Sequence, residues 1–231
     1  MPLTNQTTDC FIGHKPHPGG LNLTQTCLNL LALPQNARVL DAGCGSGQTV
    51  AFLNQNGFQV QGIDQRKVFQ SFLPGSNACF VNADWVDIPF PDDTYDVVFA
   101  ECTFSTIPSL KPHLNEISRV LKPKGKLAFH GLYSRIEADT MSKLKSGCSS
   151  LNIRTRKQLT ASIVEAGFEI FHWEDQSWRL KQNGGNLFQI NWKNNLFCDQ
   201  SEDNKNDVFD FFLSVAQLKI GYYLGIAVKG G

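Results

Sequence analysis

The sequence predicts an α/β fold: a seven-stranded, mostly parallel sheet with helices on both faces and an antiparallel C-terminal strand. Three observations carry this. From Arg38 to Asp175, apolar segments of strand period alternate with segments of helix period. A glycine-rich turn, "DAGCGSG", joins the first strand to the helix that follows it. The chain closes on "YYLGIAVK", an apolar run reached without an ordinary short crossover helix, which suits antiparallel insertion.

The elements follow in order. "LNLTQTCLNLLAL" has apolar residues at 21, 23, 27, 28, 30 and 31, a helical spacing that Pro34 stops. The first strand covers Arg38 to Leu40, a helix runs from Gln48 to Asn56, and Gly57 closes it. "FQVQGID", "NACFVNAD" and "TYDVVFAEC" read as the next three strands. "PHLNEISRVLKPKG" is amphipathic, with apolar residues at 114, 117, 120 and 121, and leads to the strand "KLAFHGLY". The helix "TRKQLTASIVEAGF" and the strand "FEIFHWED" complete the regular part. From Gln176 to Ile220 the chain turns polar and Asn-rich before a helix-like stretch, "NDVFDFFLSVAQLK". These shifts divide one domain into residues 1–35, a core at 36–175, an inserted segment at 176–220 that caps the site and meets substrate, and a final strand at 221–231.

Composition narrows the function. At 231 residues and 42% hydrophobic, the chain buries a sizeable core. Lys plus Arg equals Asp plus Glu at 21 each, so no net field draws the protein to nucleic acid or anionic membrane. There is no apolar run of membrane-spanning length, and "MPLTNQTTDC" lacks the flank and core of a signal peptide, so the expected location is the cytoplasm. Seven cysteines without a C-x-x-C pair imply reduced thiols and no metal site.

The turn carries the chemistry. Glycine lets a ligand approach the backbone, and the helix start offers free N–H groups. Dinucleotide sites space their glycines G-x-G-x-x-G, whereas here Gly43, Gly45 and Gly47 give G-x-G-x-G with Gln48 where a third dinucleotide glycine would stand. Asp41, two residues before the first glycine, repels a pyrophosphate and attracts a cationic headgroup. Asp64 ends the second strand, 21 residues after Gly43, where a carboxylate accepts from both ribose hydroxyls.

On these residues the chain resembles the class I S-adenosylmethionine-dependent methyltransferases, which have a Rossmann-like fold, in the small-molecule branch of the quinone-biosynthesis enzymes. The resemblance runs through "VLDAGCGSG", "VQGIDQ", "NADWVDIPFPDDTYDVVFAE" and "EISRVLKPKGKLAF". It implies S-adenosyl-L-methionine as cofactor, with Gly43, Gly45 and Gly47 along the methionyl end and Cys44 a small filler between them. Asp64 would hold the ribose beside Gln65, and Asp84 the adenine amino group, with Trp85 against the ring. Glu101 and Cys102 end the fourth strand near the reacting centre. The family's N-terminal segment folds over the cofactor as a helical lid, a role open to "GHKPHPGG" through Gly19 and Gly20.

The reaction implied is in-line displacement of a methyl group onto a small-molecule acceptor by a monomer or homodimer. His130 and Tyr133, just past the fifth strand, are the candidates for a general base, with His113 and His14 behind them. The region "SGCSSLNIRTRKQLTASIVEAGF" also resembles arsenite methyltransferases, with Cys148 at their cysteine position and Cys198 further on. Thiol-assisted methylation of a metalloid and cofactor binding without catalysis are therefore alternatives. An NAD-linked reductase is opposed by Gln48, Asp41 and the terminal strand.

Overall fold

In the computed structural model, which describes residues 19–66, 79–136, 152–182 and 219–230, strand and helix alternate as the sequence implies. The order is α1 (Gly20–Leu31), β1 (Arg38–Ala42), α2 (Gln48–Gln55), β2 (Gln59–Asp64), β3 (Cys79–Asn82), β4 (Tyr95–Glu101), α3 (Leu110–Val120), β5 (Leu121–Ser134), α4 (Arg156–Glu165), β6 (Phe168–Asp175), α5 (Ser177–Gln182) and β7 (Ile220–Lys229). The seven strands form one sheet in the order β3-β2-β1-β4-β5-β7-β6. Parallel pairing joins β3 through β5. β7 runs antiparallel between β5 and β6, with Gly131 opposite Tyr223.

Strand period places successive side chains on opposite faces, and the core divides accordingly. Val97 and Phe99 of β4, Ala128 of β5 and Tyr222, Leu224 and Ile226 of β7 pack with Leu23, Cys27 and Leu31 of α1 and Val50 and Leu53 of α2. Val98, Ala100, Leu127, Phe129 and Tyr223 face the other way, onto Leu114 and Ile117 of α3 and Leu159 and Ile163 of α4.

Local chemistry sets the boundaries. α1 ends where Ala32 turns left-handed, φ 47°, and Thr155 with Gln158 closes a capping box on α4. The helix expected to continue through "LKPKG" stops at Val120. Leu121 is already extended and pairs with Tyr95, and the register then jumps to Val97 against Lys126. Pro123 has no N–H for a helix or a central ladder, so it sits in that irregularity, next to Lys124 at φ 62°. Residues 206–218, Cys148 and Cys198 lie outside the described residues.

Arg154 holds the loop after β4. Its guanidinium donates to the carbonyls of Phe104, Asn152, Ile107 and Pro108 at 2.7–3.0 Å, so one cation satisfies four backbone acceptors at the site's edge. Arg154→Ala should cost about 2–4 kcal/mol through those unmet carbonyls. The check is a lower urea midpoint at unchanged slope; a wild-type midpoint would contradict the clamp.

Candidate cofactor and methyl-transfer site

At the C-terminal ends of the central strands the same face of the sheet turns from apolar to polar. Asp64 follows Val60 and Gly62 at even spacing on β2; Asp41 follows Val39 on β1; Glu101 follows Val97 and Phe99 on β4; His130 follows Ala128 on β5. These four, with Tyr222 of β7, form a row across five adjacent strands on the α1/α2 side. Carboxyl ends of parallel strands are where open α/β sheets bind ligands.

The turn above β1 is tied to β2: Gly43 N and Cys44 N both donate to Ile63 O, at 2.8 and 3.0 Å. Gly43, Gly45 and Gly47 all lie at positive φ, 80°, 51° and 82°. A Cβ on Gly43 would stand 2.3 Å from Thr103 Cγ2, and one on Gly47 2.6 Å from the Phe80 ring, so both exclude larger residues by conformation and by space. Gly45 instead has nothing within 4 Å of a Cβ position, leaving an open side to the turn. Cys44 fills the space over Gly62 and Val50, and burial pushes its thiol pKa up.

Asp64 is anchored but not saturated. Oδ2 accepts from Gly45 N at 3.0 Å, and Oδ1 accepts from Arg66 N at 2.8 Å and Arg66 Nε at 3.3 Å. Asn82 on β3 donates to the carbonyls of Asp64 and Gln65, which fixes the turn that presents the carboxylate. Asp84 is exposed, with Oδ1 accepting from Val86 N at 3.2 Å. Trp85 is buried, stacked parallel to Phe104 and edge-on to His113.

Asp41 is 2% exposed and its Oδ2 has no hydrogen-bond partner. Burial, then the neighbouring Glu101 and Asp64, raise its pKa well above the usual carboxylate range. Glu101 is differently placed. Thr24 Oγ1 of α1 donates to it at 2.8 Å, Thr49 Oγ1 of α2 at 2.6 Å, and His130 Nε2 stands 3.0 Å away. His130 Nδ1 lies 2.9 Å from Tyr222 Oη, which in turn lies 2.9 Å from Cys102 Sγ.

The other base candidates are committed to packing. Tyr133 donates to Asp175 at 2.9 Å, and His113 Nδ1 meets Ser109 O within the first turn of α3. His14 lies outside the described residues, of which no cluster of three or more His, Cys, Asp or Glu side chains is placed to hold a metal. Thr24, Thr49, Asn82 and Tyr222 carry no motif signal. Tyr222 was within reach of the alternation along "YYLGIAVK", which puts it on the face that His130 occupies.

Residues 40–129 match the methyltransferase domain family. The matched residues hold the glycine turn, Asp41, Asp64 and Glu101. Among curated relatives, the chain is 29% identical over 169 residues to a sterol 24-C-methyltransferase, ERG6A, of Gibberella zeae, covering 63% of this chain and 42% of that one. It is 34% identical over 120 residues to an uncharacterized methyltransferase, YodH, of Bacillus subtilis, covering 48% and 50%. The matched segments span about half or less of those relatives' length. A phosphoethanolamine N-methyltransferase 2 of Haemonchus contortus, solved with S-adenosyl-L-methionine, superposes with TM-score 0.70 at 19% identity over 93% of this chain and 54% of that one. The [4+2]-cyclase SpnF superposes equally well, TM-score 0.70 at 24% identity, over 90% and 80%.

The cradle suits a cationic nucleoside such as S-adenosylmethionine: an open glycine turn, a buried acid with an unpartnered oxygen and a second acid at the next strand end. With no ligand bound, Asp41 is a cost. An acid whose pKa is raised by folding loses stability as pH climbs from its unfolded value through its folded one. Asp41→Asn should therefore stabilise the ligand-free protein above the ordinary carboxylate range, by on the order of 1–3 kcal/mol, and leave it unchanged below. Thermal melts across pH check this; destabilisation at neutral pH would contradict it.

Proposed function

We propose that this protein transfers a methyl group from S-adenosylmethionine to a small organic acceptor, and that the polar row is the site. The observation that carries this is the conjunction of the open glycine turn with Asp41 and Asp64 on adjoining strand ends. In this reading Asp41 faces the cofactor's ammonium, and Gly43, Gly45 and Gly47 line its methionyl chain beside Cys44. Asp64 and Gln65 take the ribose, and Asp84 the adenine amino group. The half-exposed Arg66 yields its long 3.3 Å contact to a ribose hydroxyl. Trp85 supports the adenine pocket from within the core, and Glu101 meets the cofactor through its backbone, its carboxylate being engaged by Thr24, Thr49 and His130.

Bound there, the cofactor supplies an electrophilic methyl on a sulfonium. The chain's part is alignment and exclusion of water, which provides on the order of 7–11 kcal/mol of such a barrier. The cofactor's positive charge also restores ionised Asp41, so binding releases a proton and tightens as pH rises. Two relatives named as sterol C-methyltransferases, from Gibberella zeae and Caenorhabditis elegans, support a small-molecule acceptor. A thiophilic metalloid is the less favoured acceptor, because burial pushes the Cys102 thiol up to about 12 and Tyr222 already engages it. The superposition on a cyclase makes methyl transfer itself, and not cofactor binding alone, the quantity to measure.

Asp64→Ala should weaken S-adenosylhomocysteine binding on the order of 30- to 1,000-fold, the loss of about 2–4 kcal/mol of charge-assisted hydrogen bonding. An unchanged dissociation constant with native circular dichroism would reject the ribose assignment. Calorimetry with S-adenosylhomocysteine and NAD in parallel tests the class. Binding of the first alone, followed by label transfer from methyl-tritiated S-adenosylmethionine to an organic acceptor, is expected; binding of NAD alone would overturn the reading.

A further inference from the structure

The row does not stop at the cofactor. Beyond Glu101 it continues away from Asp64 and Asp41 into a chain of four side chains: Cys102 Sγ to Tyr222 Oη, 2.9 Å; Tyr222 Oη to His130 Nδ1, 2.9 Å; His130 Nε2 to Glu101 Oε1, 3.0 Å. Backbone pairing sets these distances. Glu101 lies directly opposite His130 in the parallel β4/β5 ladder, and Cys102 N donates to His130 O at 2.8 Å. Tyr222 of β7 is opposite Leu132 of β5, diagonal to His130 on the same face.

Burial gives the chain a direction. Tyr222 is 0% and His130 1% exposed, and Glu101 9%. Cys102 is the member that is partly exposed. It sits at φ 57° where β4 leaves the sheet, and the next residue, Thr103, abuts Gly43 in the glycine turn. The open end of the chain therefore adjoins the turn, and the closed end is a carboxylate with two threonine donors. Such a carboxylate stabilises positive charge on the imidazole beside it.

We propose that Cys102, Tyr222, His130 and Glu101 form a proton-accepting relay, and that the methyl acceptor is of the protic class: a thiol, phenol or carbon acid whose reacting atom gives up a proton. This rests on the methyltransferase reading above. As the bond from the acceptor atom to the methyl carbon forms and the carbon–sulfur bond breaks with its electron pair to sulfur, the acceptor's proton passes to Cys102 Sγ. The thiol's own proton passes to Tyr222 Oη and the phenolic proton to His130 Nδ1. The product is an imidazolium against the Glu101 carboxylate, which later discharges to solvent. The Cys102 thiol, held protonated by burial, is a conduit in this scheme and not a nucleophile. A pyridine nitrogen or a thioether, unprotonated at neutral pH, has no proton to give, and such acceptors leave the relay without a task.

The experiment uses the full chain and methyl-tritiated S-adenosylmethionine with two panels: thiophenol, catechol and acetylacetone against pyridine and dimethyl sulfide. Label is expected in the protic panel. Label in the aprotic panel, or in neither while the cofactor binds, overturns the assignment of acceptor class. Tyr222→Phe keeps the ring and removes only the hydroxyl. It should lower kcat about 100-fold or more, with KM and the S-adenosylhomocysteine dissociation constant within about threefold and native circular dichroism. His130→Gln should lower kcat as far, with a lower melting temperature because Glu101 loses its imidazole neighbour. Wild-type kcat in both variants contradicts the relay. Failure of the wild type to bind S-adenosylmethionine overturns instead the methyltransferase reading beneath it.

Discussion

A carboxylate buried at the end of β4 is the interaction on which the site depends. An isolated ionised carboxylate in the protein interior is expensive unless it is paired and hydrogen-bonded. Glu101 meets that demand with hydroxyl donors from two elements, Thr24 of α1 and Thr49 of α2, and with the His130 imidazole of β5 standing 3.0 Å away. Its desolvation thereby seats α1 over the sheet, fixes the start of α2 just past the glycine turn, and orients the imidazole on the next strand. One charge locks the roof, the turn and the row together.

The second constraint is parity. Because strand side chains alternate and β2, β1, β4 and β5 run parallel in near register, Asp64, Asp41, Glu101 and His130 share a face without any loop to aim them. The antiparallel β7 adds Tyr222 to that face. The arrangement concentrates three acids within a short distance, and Asp41 carries the strain of it. In the proposed reading a bound cation relieves that strain, the usual trade between function and stability.

The mostly parallel sheet, the antiparallel last strand and the glycine turn were legible because they rest on period and spacing, which are local. Asp41 and Asp64 were legible for the same reason: a polar residue closing an apolar strand marks a carboxyl end. What escaped the sequence is what depends on partners far along the chain. Tyr222 reads as one more aromatic in an apolar strand until β7 is known to lie against β5. Arg154 looks like an exposed cation until the carbonyls of Phe104, Ile107 and Pro108 converge on it. Tyr133 was a reasonable base by position, yet Asp175 holds its hydroxyl. Trp85 was marked by its aromatic character, and packing against Phe104 and His113 claims most of its ring.

A crystal structure with S-adenosylhomocysteine tests the central claim most directly, because it reads the whole row at once. The account places the ribose hydroxyls on Asp64, with Arg66 Nε displaced, the amino group on Asp41, and the sulfur over the glycine turn on the side of Cys102. A nucleoside seated elsewhere, or one that leaves Asp41 Oδ2 without a partner and Arg66 still on Asp64, would contradict it.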